Sequence, residues 1–317
     1  MFCELVLQRM KEFNQLRIIF MGTPGFAVAT LDALVESGAN LVGVVTAPDK
    51  PAGRGMQLQS SAVKQYAVEK NIPVLQPEKL KNIDFLRELA SYEADLQVVV
   101  AFRMLPEAVW NMPPMGTVNV HASLLPQYRG AAPINRAIIN GETETGVTTF
   151  KLQHEIDTGD ILLQEKVAIL PTDNAGTLHD KLMVAGAQLL VKTVKGLAAG
   201  TIQEVPQPTA GELKHAPKIF REDQQIDWHH TAEHVNNLIR GMAPYPAAFA
   251  MLNGKPLKIY QSHFEVADHS KDPGIHESDA KNYLRFAAKD GWVYADELQL
   301  EGKKKMDIAN FLRGFRL

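Results

Sequence analysis

Only one cysteine, Cys3, stands among 317 residues. That excludes an internal disulfide and any metal site built on cysteine, and it fits a reducing, cytoplasmic setting. No apolar run approaches the roughly 18 residues of a membrane-spanning helix, so no membrane partner is expected. A secretory signal is missing too: in MFCELVLQRM the apolar part is short and Glu4 interrupts it. Met10 precedes the first clear strand and is the favoured start over Met1, which makes residues 1–16 a leader. The net charge of −3 argues against a protein that coats nucleic acid non-specifically, though it leaves room for a local basic patch.

Two nucleotide motifs are also lacking. After the first strand the loop GTPGFA offers Gly22 and Gly25 where a dinucleotide fold needs G-x-G-x-x-G. Thr46, not an acidic residue, closes the second strand, and there is no Walker lysine. The two glycines therefore read as a tight strand-to-helix turn, and nicotinamide chemistry is disfavoured.

What is present is alternation. RIIF, LVGVV, IPVL, DLQVVVA and TVNVH read as strands, and helical stretches fall between them. Asn82 reads as the cap of one helix, Gly38 as the stop of another, and APINRAIING as a helix ending at Gly141. This predicts an α/β fold, a Rossmann-like, mostly parallel sheet covered by helices. GVTTFKL and ILLQEKVAI follow as a strand pair, and a long helix closes this part. The prolines at 206, 208 and 217 mark residues 202–218 as a linker. Beyond it AAFAMLN, KPLKIYQSHFE, YLRFAAK and WVYADELQL suggest a small β-barrel, OB-like. The boundaries are thus 17–201, 202–218 and 219–317.

The chemistry concentrates in NVHASLLPQYRGAAP, residues 119–133. Alternate residues of a strand share a face, so Asn119, His121 and Ser123 are expected to point together at the carboxyl end, where open α/β sheets bind ligands. Leu124, Leu125 and Pro126 then form a stiff apolar edge suited to a flat ring. Farther on, HEIDTGDIL puts Asp157 and Asp160 in a loop between strands. That spacing alone is compatible with a simple turn, and equally with a carboxylate that orients and charges the imidazole.

N-x-H-x-S-L-L-P-x-x-R-G-x-x-P followed by I-D-T-G-D-I-L resembles the signature of the folate-dependent formyltransferases. The likeness runs over nearly the whole chain after Met10. RIIFMGTPGFA, APDKPAGRG, IDW, IRGMAPYPAAF and LEGKKKM resemble members that act on an aminoacyl-tRNA. The resemblance implies Asn119, His121 and Asp157 as catalytic residues and Ser123, Leu124, Leu125 and Pro126 as folate contacts. It implies 10-formyltetrahydrofolate as cosubstrate, methionyl initiator tRNA as acceptor, no metal, and a monomer. In the implied reaction the neutral amine attacks the formyl carbon while Asn119 and a cationic His121 donate to the developing oxyanion. One departure is visible: the family commonly has A-Y-G-x-x-L-P after the fourth strand, and here AFRMLP puts Arg103 in the place of a small residue. The rival readings are a formyltransferase for another amine, purine precursor or amino sugar, a 10-formyltetrahydrofolate hydrolase, and an RNA-binding module without catalysis.

Three further groups remain. TAPDKPAGRGMQLQ, residues 46–59, is too long for an ordinary strand-to-helix connection, and its prolines and glycines disfavour helix and strand alike. Lys50 and Arg54 are its basic residues, and the reading is a flexible clamp on the tRNA, with Arg54 the stronger contact. Lys303, Lys304, Lys305, Arg313 and Arg316 form a cationic cluster near the C-terminus. His230 and His234 lie one helical turn apart without a third ligand nearby, which reads as a solvated helix face.

Overall fold

Ile18, Ile19, Phe20 and Met21 have no exposed surface, as a strand covered on both faces requires. They occupy the middle of β1 (Arg17–Gly22) in a computed structural model that describes residues 11–52, 57–208 and 211–315. The chain continues with α1 (Gly25–Glu36), β2 (Asn40–Val45), β3 (Lys50–Ala52), β4 (Gln57–Gln59), α2 (Ala62–Glu69) and β5 (Val74–Leu75). Next come α3 (Ile83–Ser91), β6 (Leu96–Val100), α4 (Glu107–Trp110), β7 (Thr117–His121), β8 (Arg129–Gly130) and α5 (Pro133–Ile139). β9 (Glu144–Lys151), β10 (Ile161–Ala168) and α6 (Ala175–Ala198) follow. Two units emerge from these contacts. One holds the described residues up to Arg129 with Gly146–Val167 and Lys181–Leu213; the other holds Gly130–Thr145, Ala168–Asp180 and the residues from Lys214 onward.

The sheet of the first unit has the order β10-β9-β7-β6-β1-β2-β5. β1 is parallel to β2 and β6, β2 to β5, and β6 to β7. β9 reverses the direction: Val118 faces Lys151 and His121 faces Thr148. The mostly parallel α/β architecture is the one expected. Local signals also hold. The Asn82 side chain accepts from the Asp84 and Phe85 amides, and Gly38 and Gly141 end their helices with positive φ. At Gly22 an added Cβ would lie 2.6 Å from the Ala27 Cβ, so this glycine lets the strand end and the helix pack closely; Gly25 meets nothing.

Residues 46–59 depart from the expectation. β3 and β4 form a short antiparallel hairpin, with Lys50 opposite Gln59 and Pro51 opposite Leu58. Pro51 is tolerated because a two-stranded ladder has an outer edge that needs no N–H. The base of the hairpin is tied down: Lys64 donates to Asp49 at 2.5 Å, Gln76 donates to Asp49 and the Ala47 carbonyl, and the Thr46 and Ser61 hydroxyls lie 2.7 Å apart. Arg54 lies outside the described residues, as do Met1, Met10 and Arg316.

In the second unit β11 (His215–Ala216), α7 (Ala232–Met242), β12 (Ala248–Leu252), β13 (Lys255–Val266), β14 (His276–Ser278), β15 (Leu284–Ala287), β16 (Gly291–Leu300), β17 (Met306–Asp307) and α8 (Ile308–Gly314) follow one another. The expected barrel takes the form of a curled antiparallel sheet, β12-β13-β16-β15-β14, with β17 on β16. Register shifts between Ile259 and Ser262 interrupt the long β13–β16 ladder, and such irregularities raise local twist. The curl lets Leu257, Ile259, Val293 and Leu298 bury against Val235 and Ile239 of α7 and Phe311 of α8. Each such side chain contributes about 1.5–3 kcal/mol relative to exposure.

Candidate active site

Asn119 and His121 share one face of β7, between β6 and β9. No hydrogen bond within the described residues engages the Asn119 carboxamide, which is half-buried. His121 is 8% exposed, and its Nε2 lies 2.9 Å from the Tyr128 carbonyl oxygen. A carbonyl only accepts, so Nε2 carries the proton and Nδ1 is the position that exchanges it. Nδ1 faces Asp157, with Oδ2 at 3.9 Å. That is too long for a hydrogen bond and short enough for strong attraction once the ring is charged.

Ser123 departs from the expected alternation. The strand ends at His121, and the fully buried Ser123 hydroxyl donates to the Gln127 carbonyl at 2.6 Å. Its carbonyl accepts from Thr148, whose hydroxyl also accepts from the Leu125 amide, while Gln164 donates to the Leu125 carbonyl. Ser123 and Leu125 therefore shape this loop from inside. Leu124 and Pro126 are half-buried and present the apolar edge.

The loop carrying Asp157 is under tight constraint. Because β9 runs against β7, it begins beside Thr117, whose carbonyl accepts from the Leu152 amide, and must double back to reach His121. Gly159 permits this: a Cβ there would sit 1.6 Å from the Lys151 carbonyl oxygen. Asp157 has φ +55 and Tyr128 has φ +60, a left-handed conformation that costs a non-glycine residue about 1–3 kcal/mol and persists only where the surroundings enforce it. Gln207 ties down the Asp157 loop. Its amide donates to the Asp157 carbonyl at 2.9 Å and the Gly159 carbonyl at 2.8 Å, while its Oε1 accepts from Arg129 Nε and Nη2 at 3.0 and 2.6 Å. Sequence reasoning assigned neither Gln207 nor Arg129 a role. The available signal was a lone amide between Pro206 and Pro208 and an arginine inside the 119–133 stretch.

The remaining expected groups have contacts of their own. Lys50 is exposed on β3. Arg103 folds over the Phe102 ring and donates to the Pro77 and Glu78 carbonyls, so its charge ties down the segment after β5; partial burial lowers its pKa from the ordinary arginine value. A cleft of about 490 Å³ beside that segment is lined by Gln76, Pro77, Lys79, Asn82 and Phe85, with none of Asn119, His121 or Asp157 on its walls. Lys305 pairs with Glu297 and lies over the Tyr260 ring, and Arg313 bonds back to its own helix. The His230 and His234 rings are 4.4 Å apart; burial, and then the neighbouring His230, lower the His234 pKa. Among the described residues no cluster of three or more His, Cys, Asp or Glu could hold a metal, and no helix is long and apolar enough to cross a membrane.

Residues 16–194 match the family model described as formyl transferase, and residues 218–316 match its C-terminal domain. A methionyl-tRNA formyltransferase of Bacteroides fragilis is 53% identical, with 96% of each chain covered. The corresponding protein of Parabacteroides distasonis is 56% identical over 96% of this chain and 97% of its own. A solved sugar 3N-formyl transferase, WlaRD, crystallised with dTDP and 5-N-formyl-THF, shares the fold at 21% identity and TM-score 0.66, covering 91% of this chain and 99% of its own. HypX from Aquifex aeolicus in complex with tetrahydrofolic acid does so at 18% identity and TM-score 0.62, covering 93% of this chain and 46% of its own.

Proposed function

The chain belongs to the formyl transferase family, and from that membership we propose that it transfers the formyl group of 10-formyltetrahydrofolate to the α-amine of methionyl initiator tRNA. The observation that supports this reading is the 3.9 Å approach of Asp157, on the 152–160 loop, to His121, with Asn119 on the same face of β7. A half-buried carboxamide, a buried imidazole with a fixed proton and a carboxylate fit a formamide carbonyl and an amine. Metal ligands are not part of the reading.

The folate supplies the activated formyl group. The amine nitrogen bonds to the formyl carbon, the carbon–nitrogen bond to the folate breaks, and one proton passes from the amine to the departing nitrogen. Asn119 donates an N–H to the formyl oxygen as negative charge develops there; removing such a donor typically costs about 10²–10³ in turnover. With Nε2 committed to Tyr128, proton transfer runs through Nδ1 of His121, and Asp157 stabilises the imidazolium while it lasts.

In the same reading residues 17–201 carry catalysis, 202–218 connect and 219–317 bind tRNA, Lys50 and Arg54 are further tRNA contacts, and the protein acts in the cytoplasm as a monomer. The test is incubation with 10-formyltetrahydrofolate and methionyl initiator tRNA. Formylmethionyl-tRNA is the expected product. Formate release without acceptor formylation supports the hydrolase instead, and formylation of an amino sugar in preference to tRNA supports the other transferase.

A further inference from the structure

The His121–Asp157 pair is assembled from two separate segments. His121 ends a strand, whereas Asp157 sits on a loop that starts near Val118, about 10 Å back along that strand. The 3.9 Å gap between Nδ1 and Oδ2 is too wide for a hydrogen bond to set the separation. Something else must, and one hydrogen-bonded circuit passes through both residues. From Nε2 of His121 it runs to the Tyr128 carbonyl, along the chain to Arg129, from the Arg129 guanidinium to Oε1 of Gln207, and from Nε2 of Gln207 to the Asp157 carbonyl.

Gln207 suits this place. It is 7% exposed, and paired backbone bonds between Val205 and Ile161 fix the segment that carries it. Its amide has one permitted orientation: reversed, the NH₂ would face the arginine N–H groups and the oxygen would face two carbonyls. The circuit also passes through two left-handed non-glycine residues, Tyr128 and Asp157. Tyr128 turns its carbonyl to His121 and Asp157 turns its carbonyl to Gln207.

We propose that Arg129 and Gln207 are a positioning pair that sets the separation and orientation of His121 and Asp157 for formyl transfer. Neither is a catalytic residue; both act on the backbone that carries one. The proposal rests on the formyl-transfer reading above. An error of about 1 Å in such a pair costs up to 10²-fold in rate, so the effect belongs in turnover.

The experiment is a double-mutant cycle on the full chain with both substrates. Gln207→Leu is expected to lower kcat about 10–100-fold while KM for folate and for tRNA stays within about twofold, because Gln207 bonds to the Asp157 and Gly159 carbonyls and Arg129 only. In an Asp157→Asn background the same change should cost less than about twofold, since there is no longer a charge to place. Arg129→Lys, which keeps one donor, should fall between wild type and Gln207→Leu. If Gln207→Leu does not fold, Arg129→Lys carries the test alone, in both backgrounds. Turnover within twofold of wild type, an equal loss in both backgrounds, or a loss confined to KM would overturn the proposal. Formylation of methionyl-tRNA by the wild-type chain tests the underlying reading separately. If the wild type is inactive the reading fails; if it is active and the cycle shows no coupling, only the positioning role fails.

Discussion

Gly159→Ala perturbs the active-site loop without touching a polar side chain. The added Cβ lies 1.6 Å from the Lys151 carbonyl oxygen and 2.8 Å from its carbon, against an ordinary contact beginning at 3.4 Å. Both are backbone atoms of β9, which is paired to β7, so the strand cannot yield without disturbing the sheet. The loop has to move instead, by about 1.8 Å on those distances. That shift breaks the Lys151 amide bond to the Asp160 carbonyl, now 3.0 Å, and both Gln207 contacts. Overpacking costs about 1–3 kcal/mol and each of the three lost hydrogen bonds about 0.5–1.5 kcal/mol, so a fall of about 2.5–7.5 kcal/mol in stability is expected. Asp157 moves by more than the roughly 1 Å that already costs about 10²-fold in rate, so kcat should drop at least that far. Urea unfolding gives the first quantity and single-turnover formylation the second. A Gly159→Ala variant with wild-type stability and wild-type turnover would refute both the loop geometry and the role assigned to Asp157.

Asn119→Ala should reduce kcat about 10²–10³-fold with little change in thermal stability, because the side chain is half-buried and its carboxamide engages no described residue; unaltered turnover would remove Asn119 from the mechanism. Arg54→Ala should lower kcat/KM toward tRNA far more than folate affinity, and Lys50→Ala should do so less, as steady-state kinetics with each substrate varied in turn will show. Asn82→Ala removes the acceptor for the Asp84 and Phe85 amides and should cost about 1 kcal/mol in urea unfolding with no effect on KM.

Asn119 and His121 were legible because strand periodicity is a covalent property of the backbone: once TVNVH is a strand, positions two apart share a face. The residues alone left Asp157 and Asp160 open as partners, and the family resemblance singled out Asp157; the antiparallel return of β9 and the doubling back of the loop were not legible. Gln207 was invisible for a different reason. Its function is an amide bonding to two main-chain carbonyls across 48 and 50 residues of sequence, and no local pattern encodes such a partner. The prolines around it read correctly as breaking helix and strand, but an irregular segment can still be buried. The positive φ of Tyr128 and Asp157 is likewise enforced by tertiary bonds, not by residue preference. Ser123 misled because alternation was carried one step past the end of the strand.

The hairpin of β3 and β4 has its two ends held side by side by Asp49, Lys64, Gln76 and the Thr46–Ser61 pair. Its closure is therefore settled at the base, ahead of the Ala52–Gln57 pair. For a loop already closed, doubling its length costs only about 0.6 kcal/mol. Peptides, cross-linkers or spectroscopic labels can be inserted at this point with the sheet left to fold as before. Divergence in length here should accordingly outrun divergence in the strands on either side.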